Sequence, residues 1–402
     1  MKLQSTGLTK QELMQKTSKY MIETYDRFDF VADYGKGLNL YSSDGEEYLD
    51  FYAGIAVNAL GNCPETVVNA VKEQAEDLMQ VFNYPYTVPQ TLLAEKICTT
   101  IGMDKIYFQS SGTEANEAMI KLARKYGTTN YGEHKFEIIT ANKSFHGRTM
   151  GSMTATGQKE SAIQQGFGEL VPGFAYADFN DYDSFAAAIT ENTIAIMIEP
   201  VQGEGGVIPA DKEFMEKIRK LCDEKGLLLL LDEVQTGWCR TGAIMSFMNY
   251  GIKPDIVSMA KAMGGGMPIG AICATNEVAS AFTKGSHGST YSGHPVCCAA
   301  SLACITELIE KDLASNAKEM GDYFASLLKE LPDVKEVRHQ GLLVGVEFKT
   351  INSTKLKFKC IENKLLVTAI GSNIIRMVPP LIISKSDCDK AYSIILKSIK
   401  EL

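Results

Sequence analysis

The feature that most constrains this chain is a pair of short apolar segments that each end in a charged residue. The first is a run of five leucines, Leu227–Leu231, and Asp232 follows it directly. The second, Pro254–Ala260, ends at Lys261, and three glycines follow at 264–266. Continuous apolar runs of this length are typical of strands that are buried on both faces of a parallel sheet. Two such strands with opposite charges at their carboxyl ends predict a ligand site at that edge of the sheet.

The rest of the chain supports an α/β fold with a mostly parallel central sheet and helices on both faces. Short apolar segments alternate with helical patterns, as parallel sheets require. The predicted strands are Leu38–Tyr41, Glu47–Phe51, Ile106–Phe108, Phe136–Thr140, Ile194–Glu199, Leu342–Phe348 and Asn373–Val378. The predicted helices are Gln11–Tyr25 (a helix or an arm), Pro64–Val81, Pro89–Ile101, Thr113–Tyr126, Lys212–Lys225, His294–Leu331 with a break near 311–313, Ser353–Asn363 and a last helix from Ser386, where Ser386 and Asp389 form a capping pattern.

We predict three parts of the chain from this order of elements. Residues 1–60 form an N-terminal arm and hairpin that belong to the small domain. Residues 61–300 form the large domain, which contains the predicted ligand site. Residues 301–402 form a smaller C-terminal α+β domain.

Composition and charge exclude several classes of function. The net charge is −9 at pH 7, which argues against nucleic acid and anionic membranes as partners. The polar start of the chain lacks a signal-peptide core, and no apolar run reaches the length of a membrane span. The ten cysteines include no C-x-x-C pair, and the five histidines show no zinc-ligand spacing. We therefore expect a cytoplasmic protein without a metal site.

Lys261 and Asp232 suit a cofactor that carries both an aldehyde and a basic ring nitrogen. A lysine after a buried strand is desolvated, and desolvation lowers its pKa as Schiff-base chemistry requires. A carboxylate after five leucines is costly to bury without a cation, and a protonated pyridine nitrogen is such a cation. Pyridoxal phosphate has both groups. The structural alternatives are a solvated lysine and an aspartate that caps a helix or pairs with Arg240.

Further candidate residues lie on loops near the predicted strand ends. Ser111, Gly112 and Thr113 open a helix and could bind an anion, although an ordinary helix cap has the same pattern. This stretch matches neither nucleotide-phosphate fingerprint, so a NAD-dependent dehydrogenase is disfavoured. The other candidates are Phe145, Arg148, Glu204, Ser289, Thr290 and Arg376, each of which could instead be an ordinary loop or capping residue.

From about Tyr25 to the carboxyl end, the chain resembles the class III, fold-type I pyridoxal-phosphate aminotransferases, and most closely their acetylornithine group. The motifs that carry the resemblance are Tyr48–Phe51 with Gly54–Asn58, Ser111–Asn116, Ser144–Thr149, Glu199–Gly206, Asp232–Gly237, Ala260–Lys261 and His287–Thr290.

The resemblance implies a role for each candidate residue. Lys261 would bind the aldehyde carbon covalently and then move a proton, and Asp232 would pair with the ring nitrogen. The implied cofactor contacts also include Ser111, Gly112, Thr113, Phe145, Val234, Gln235 and Thr290, of which Thr290 would come from the second subunit of a homodimer. Arg148 and Ser289 would contact the substrate. Arg376 would bind the α-carboxylate of glutamate or 2-oxoglutarate, and Glu204 would pair with an arginine while an amine donor is bound.

The resemblance implies transfer of an ω-amino group, from N-acetylornithine or a similar amine to 2-oxoglutarate. Ornithine, 4-aminobutyrate and other ω-amines are alternative donors, and an amino-acid epimerase on the same fold is an alternative of another reaction class. Asn83–Tyr86 and Trp238–Cys239 depart from the pattern of the acetylornithine group, as do Tyr291–His294 and Asn62–Pro64. Several of these departures are expected near the pocket or the dimer interface, so they bear on the identity of the donor.

Overall fold

A computed structural model describes all 402 residues of the chain. Seventeen strands form four sheets. The strands are β1 (Ala32–Lys36), β2 (Asn39–Ser42), β3 (Glu47–Asp50), β4 (Lys105–Gln109), β5 (Glu137–Ala141), β6 (Phe174–Ala177), β7 (Thr193–Ile198), β8 (Val201–Gln202), β9 (Ile208–Pro209), β10 (Leu228–Asp232), β11 (Ile256–Met259), β12 (Gly270–Ala274), β13 (Val334–Gln340), β14 (Leu343–Phe348), β15 (Leu365–Leu366), β16 (Thr368–Ile370) and β17 (Ile374–Met377).

Fourteen α-helices cover these sheets, and Leu3–Thr6 and Lys261–Gly264 form short 3-10 helices. The α-helices are α1 (Lys10–Tyr20), α2 (Ala53–Ala56), α3 (Glu65–Asp77), α4 (Val88–Ile101), α5 (Gly112–Tyr131), α6 (Met150–Ala155), α7 (Tyr182–Ala187), α8 (Lys212–Lys225), α9 (Phe247–Tyr250), α10 (Asn276–Ala279), α11 (Pro295–Glu310), α12 (Leu313–Leu328), α13 (Ser353–Glu362) and α14 (Lys385–Lys400).

The central sheet has seven strands in the order β4-β12-β11-β10-β7-β5-β6. The pairs β11–β10, β10–β7, β7–β5 and β5–β6 are parallel, so the predicted parallel architecture is confirmed. Two strands of this sheet were not predicted. One is β6, and the other is β12, which runs antiparallel to both β4 and β11. Its small residues, Gly270–Ala274, continue a glycine-rich segment that gave no strand signal.

The leucine run is buried on both faces of the sheet, as its continuous apolar pattern predicts. Leu229 and Leu231 belong to the same core as Phe214, Met215 and Ile218 of α8. Leu228 and Leu230 belong to the opposite core, which includes Ala115, Ala118 and Met119 of α5. Successive side chains of a strand point to opposite faces, so each core receives alternate leucines. Each buried leucine contributes about 1.5–3 kcal/mol of burial free energy.

Most predicted helices are present, although the bounds of several differ from the prediction. Helix α8 matches its predicted bounds, and Gly226 ends it in the left-handed conformation. The long C-terminal helical stretch breaks where predicted, between α11 and α12. Helix α3 ends at Asp77 rather than Val81. The predicted cap at Ser386 is wrong. Helix α14 is capped two residues earlier, by Ser384, and Asp387 completes the capping box.

The N-terminal hairpin pairs with the C-terminal part of the chain. Strand β3 lies parallel to β15, with Leu49 opposite Leu365 and Asp50 opposite Leu366. Strands β13, β14, β17 and β16 form a separate antiparallel sheet. The division of the chain into three parts, with boundaries at 60/61 and 300/301, stays a prediction. No helix of the chain is both long enough and apolar enough to cross a bilayer.

Candidate active site

The main candidate site is a cavity of about 470 Å³ at the carboxyl edge of the central sheet. It lies beyond the ends of β7, β10 and β11 and in front of the first turn of α5. Ligands of open α/β sheets bind at this edge. Ten of the thirteen predicted site residues line the cavity, namely Ser111, Gly112, Thr113, Phe145, Arg148, Glu204, Asp232, Val234, Gln235 and Lys261.

Lys261 lies two residues beyond β11 and opens a short 3-10 helix. Its φ is +47°, a left-handed conformation that costs a non-glycine residue about 1–2 kcal/mol. Burial lowers the pKa of Lys261, although the carboxylate of Glu204 opposes this shift. A lowered pKa makes the unprotonated amine more available, and only that form attacks an aldehyde. The predicted desolvation of this lysine is therefore present in the structure.

Asp232 ends β10 and is held by three hydrogen-bond donors. Its Oδ2 accepts from Asn116 Nδ2 at 2.7 Å and from His146 Nδ1 at 2.8 Å. Its Oδ1 accepts from the main-chain N–H of Val234 at 3.0 Å. A buried carboxylate with this many donors has a fixed orientation, so it can present its charge to a ring cation in the cavity.

The alternative pairing of Asp232 with Arg240 is wrong. The buried guanidinium of Arg240 donates instead to the carbonyl oxygens of Leu342 and Pro379. These contacts join the loop after β10 to the C-terminal part of the chain. Arg240 thus has a structural role outside the cavity.

His146 and Asn116 are cavity residues to which the sequence gave no role. Asn116 donates to Asp232 and to the carbonyl oxygen of His146, and its own amide oxygen accepts from Ser258 Oγ at 2.6 Å. Both residues lie inside motifs that were already noted, Ser111–Asn116 and Ser144–Thr149. Their positions in those motifs were the available signal, and only the fold brings them to Asp232.

The first turn of α5, where the sequence predicted an anion site, lies against the cavity. The side chain of Ser111 caps this 20-residue helix. Gly112 allows close packing there, because a Cβ at this position would lie 2.6 Å from Val234. Unpaired N–H groups and the helix dipole both favour a phosphate at such a terminus.

Gln235 provides a direct test of whether the predicted cofactor fits. Its Oε1 is buried without a hydrogen-bond partner, although buried acceptors are normally paired. This orphaned atom lies in the same cavity as Asp232 and Lys261. A pyridoxal ring carries a phenolic oxygen, which can supply the missing hydrogen when it is protonated. Together with the carboxylate, the lysine and the anion site, Gln235 makes the cavity a fit for pyridoxal phosphate.

Phe145 and Arg148 lie on the loop between β5 and α6. The Arg148 guanidinium is exposed, 5.7 Å from the centre of the Phe145 ring. The main-chain N–H of Arg148 donates to Thr113 Oγ1 at 3.0 Å, which ties this loop to the start of α5. An aromatic ring and a cation are therefore present together on one side of the cavity.

Arg376 is almost completely buried on β17 and pairs with Glu204, which lines the cavity. Burial raises the pKa of Glu204, but Arg376 outweighs burial and leaves that pKa below its usual value. The pair thus stays ionised at neutral pH. Arg376 itself does not line the cavity while Glu204 covers it.

Like Arg376, the predicted residues Ser289 and Thr290 lie outside the cavity. Thr290 is exposed, and its carbonyl oxygen accepts from Gln80 Nε2 at 3.1 Å. The carbonyl oxygen of Ser289 accepts from Asn83 Nδ2 at 2.8 Å. Neither residue contacts the site of its own chain, so a role for either requires a second subunit.

A family model described as Aminotransferase class-III matches residues 20–399. An acetylornithine aminotransferase of Clostridium acetobutylicum is 43% identical over 96% of this chain and 100% of its own length. An acetylornithine aminotransferase of Methanocaldococcus jannaschii is 44% identical over 92% of this chain and 94% of its own length.

Solved structures agree with this assignment. An ornithine aminotransferase of Toxoplasma gondii superposes with a TM-score of 0.94 at 29% identity, over 99% of this chain and 97% of that one. An acetylornithine aminotransferase of Elizabethkingia anophelis gives a TM-score of 0.87 at 29% identity, over 98% of this chain and 100% of that one.

Proposed function

This chain belongs to the class III aminotransferases, and we propose that it transfers the ω-amino group of N-acetylornithine to 2-oxoglutarate. The fold is that of the fold-type I enzymes, the cofactor is pyridoxal 5′-phosphate, and the reaction class is transamination, as predicted. The donor, the acceptor and the roles of individual residues are our proposals.

Bound pyridoxal phosphate supplies an electrophilic aldehyde and a ring that stabilises the carbanion formed when a C–H bond next to nitrogen breaks. Lys261 would bind that aldehyde and, once displaced by the substrate amine, would move the proton at the amine-bearing carbon. Asp232, fixed by His146 and Asn116, would keep the ring nitrogen protonated. Gln235 would accept from the phenolic oxygen, and α5 would hold the phosphate.

The Glu204–Arg376 pair is the observation that carries this proposal. A transaminase must accept two substrates in turn at one site, and here the donor and acceptor differ in charge. When the ion pair is formed, Glu204 neutralises the charge of Arg376, and the cavity suits the uncharged part of a donor. With Glu204 displaced, Arg376 is free to bind the α-carboxylate of 2-oxoglutarate. A racemase has no need for this exchange.

Two observations bear on the donor. Relatives that carry the name acetylornithine aminotransferase are 39–44% identical to this chain. Arg148 stands at the cavity, where it would bind the α-carboxylate of a long ω-amino acid. Solved ornithine aminotransferases superpose with TM-scores of 0.86–0.94 at 28–30% identity, and a solved acetylornithine aminotransferase with 0.87 at 29%, so ornithine is the second candidate.

We further propose a cytoplasmic homodimer with shared active sites. Residues 78–92 expose a row of large apolar side chains, here termed the 78–92 patch, and Tyr84 and Tyr86 are 91% and 99% exposed. An apolar surface of this size is typical of a protein interface. Within the same stretch, Gln80 donates to the carbonyl oxygen of Thr290, and Asn83 donates to that of Ser289. A partner docked on the patch would therefore receive Ser289 and Thr290 near its own cavity. The ten cysteines are all free thiols, which suits a reducing compartment.

The proposed donor is tested by single-turnover half-reactions, followed through the visible absorbance of the cofactor. Equal concentrations of N-acetylornithine, ornithine, 4-aminobutyrate and lysine derivatives are compared. We expect N-acetylornithine to react at least about tenfold faster than the others, a difference of about 1.4 kcal/mol in activation free energy. Faster reaction with ornithine or 4-aminobutyrate would contradict the donor. Inversion of a chiral substrate without amino transfer would contradict transamination itself.

A further inference from the structure

Glu199 is a second buried carboxyl group in the cavity, next to Asp232. It directly follows β7, whose neighbour in the sheet is β10, and Ile198 lies opposite Leu231. Glu199 and Asp232 are therefore the next residues of two parallel strands at the same edge. Glu199 lines the cavity and is 7% exposed. None of the roles assigned so far uses it.

The carboxyl of Glu199 holds the main chain of the loop between β5 and α6. Its Oε1 accepts from the main-chain N–H of Phe145 at 2.8 Å. The next residue, His146, donates its main-chain N–H to Thr156 Oγ1, also at 2.8 Å. This short segment places Phe145, His146 and Arg148 at the cavity. Glu199 is thus an anchor for one predicted ring contact, one donor to Asp232 and one predicted substrate contact.

The surroundings of the two carboxyl groups differ in a way that separates their charges. Asp232 has three donors, and Glu199 has one. The charged groups that face Glu199 are Asp232, Glu204 and Lys261. Burial raises the pKa of Glu199 well above its usual value, and the charge of Asp232 raises it further. Two adjacent carboxyl groups cannot both ionise cheaply, and the one with fewer donors keeps its proton.

We propose that Glu199 is a positioning residue that stays uncharged at neutral pH and holds the Phe145–Arg148 segment against the cofactor cavity. Its neutrality leaves Asp232 as the only anion that adjoins the ring nitrogen. It also protects the chemistry of Lys261, because an ionised Glu199 would attract the lysine proton and raise the pKa of that amine. The anchoring part of this proposal rests on the proposed placement of the cofactor, whereas the charge part does not.

The charge of Glu199 is tested on the protein without cofactor. Infrared difference spectra at pH 7 compare the wild type with Glu199→Gln. We expect the wild type to show the carbonyl band of a protonated carboxylic acid that the variant lacks. If Glu199→Gln instead loses the band of an ionised carboxylate, the proposal is overturned, whichever substrate the enzyme uses. The control is Glu137→Gln, since Glu137 begins β5 at the opposite edge of the sheet and accepts from Thr190 and Thr193.

The anchoring role is tested by the dissociation constant for pyridoxal phosphate, measured by equilibrium dialysis. Glu199→Gln keeps a neutral acceptor for the Phe145 N–H, so its constant should stay within about threefold of the wild type. Glu199→Leu leaves that N–H unpaired in a dry site, and its constant should rise by about tenfold or more. Equal constants for the leucine variant and the wild type would refute anchoring, as would a glutamine variant as weak as the leucine one.

Discussion

Replacement of Arg376 by alanine should impair the acceptor half-reaction far more than the donor half-reaction. The guanidinium of Arg376 is 1% exposed and its partner is Glu204, so its loss removes the cation that would bind the α-carboxylate of 2-oxoglutarate. Loss of one partner from a buried, hydrogen-bonded ion pair costs about 2–5 kcal/mol. Taking about 3 kcal/mol, the kcat/KM for 2-oxoglutarate should fall by roughly 150-fold. The kcat/KM for the donor should fall by less than about tenfold, because Glu204 loses only its counter-ion in that half-reaction.

Single-turnover kinetics with each substrate separately measure the two effects of Arg376→Ala. Arg338→Ala is the matched control, because Arg338 donates to the carbonyl oxygen of Gly206 near Glu204 but lies outside the cavity. The control should change neither half-reaction by more than about threefold. Equal losses in both half-reactions of Arg376→Ala would refute the exchange of partners and make the arginine a structural residue.

Three further predictions concern the support of the site, pH and assembly. His146→Leu should slow both half-reactions by about 10–100-fold in stopped-flow assays, because Asp232 loses a charge-assisted hydrogen bond; an unchanged rate would exclude this support. Burial raises the pKa of Glu233 from 4.5 to about 7, so the native state binds this proton more tightly than the unfolded chain does. The Glu233 contribution to stability should therefore fall by about 3 kcal/mol as pH rises through this interval, and urea unfolding of Glu233→Gln should lack that slope. Tyr86→Glu should sediment as a monomer in analytical ultracentrifugation and should be inactive. Phe358→Glu, which changes an exposed residue of α13, should remain dimeric.

The sequence predicts elements well where one local signal dominates. Helix α8 has an apolar face and a glycine that ends it, and its bounds agree with the prediction. The start of α14 was misplaced because two overlapping S-x-x-D patterns, at Ser384 and Ser386, offer the same cap. Strand β12 was missed because its small residues have little β-propensity of their own. Its two neighbours in the sheet determine its conformation.

The sequence predicted site residues where burial of a charged side chain costs free energy unless a ligand pairs with it. Asp232 after five leucines and Lys261 before three glycines have that property, and both line the cavity. The support of Asp232 was not predictable, because His146 and Asn116 are 86 and 116 residues away in the chain. Glu199 stands in a motif that was noted, Glu199–Gly206, but its role was not predictable for a similar reason, since its neighbour across the sheet is far away in sequence.

Borohydride reduction followed by peptide mapping tests the central claim, that the two strand ends hold one cofactor through Lys261. We predict that reduction of the wild type fixes a phosphopyridoxyl group on the peptide that contains Lys261, and on no other lysine. Lys261→Ala should give no fixed cofactor, although dialysis should still detect reversible binding through Asp232 and the α5 terminus. A reduced adduct on another lysine, or an adduct that persists in Lys261→Ala, would contradict the account.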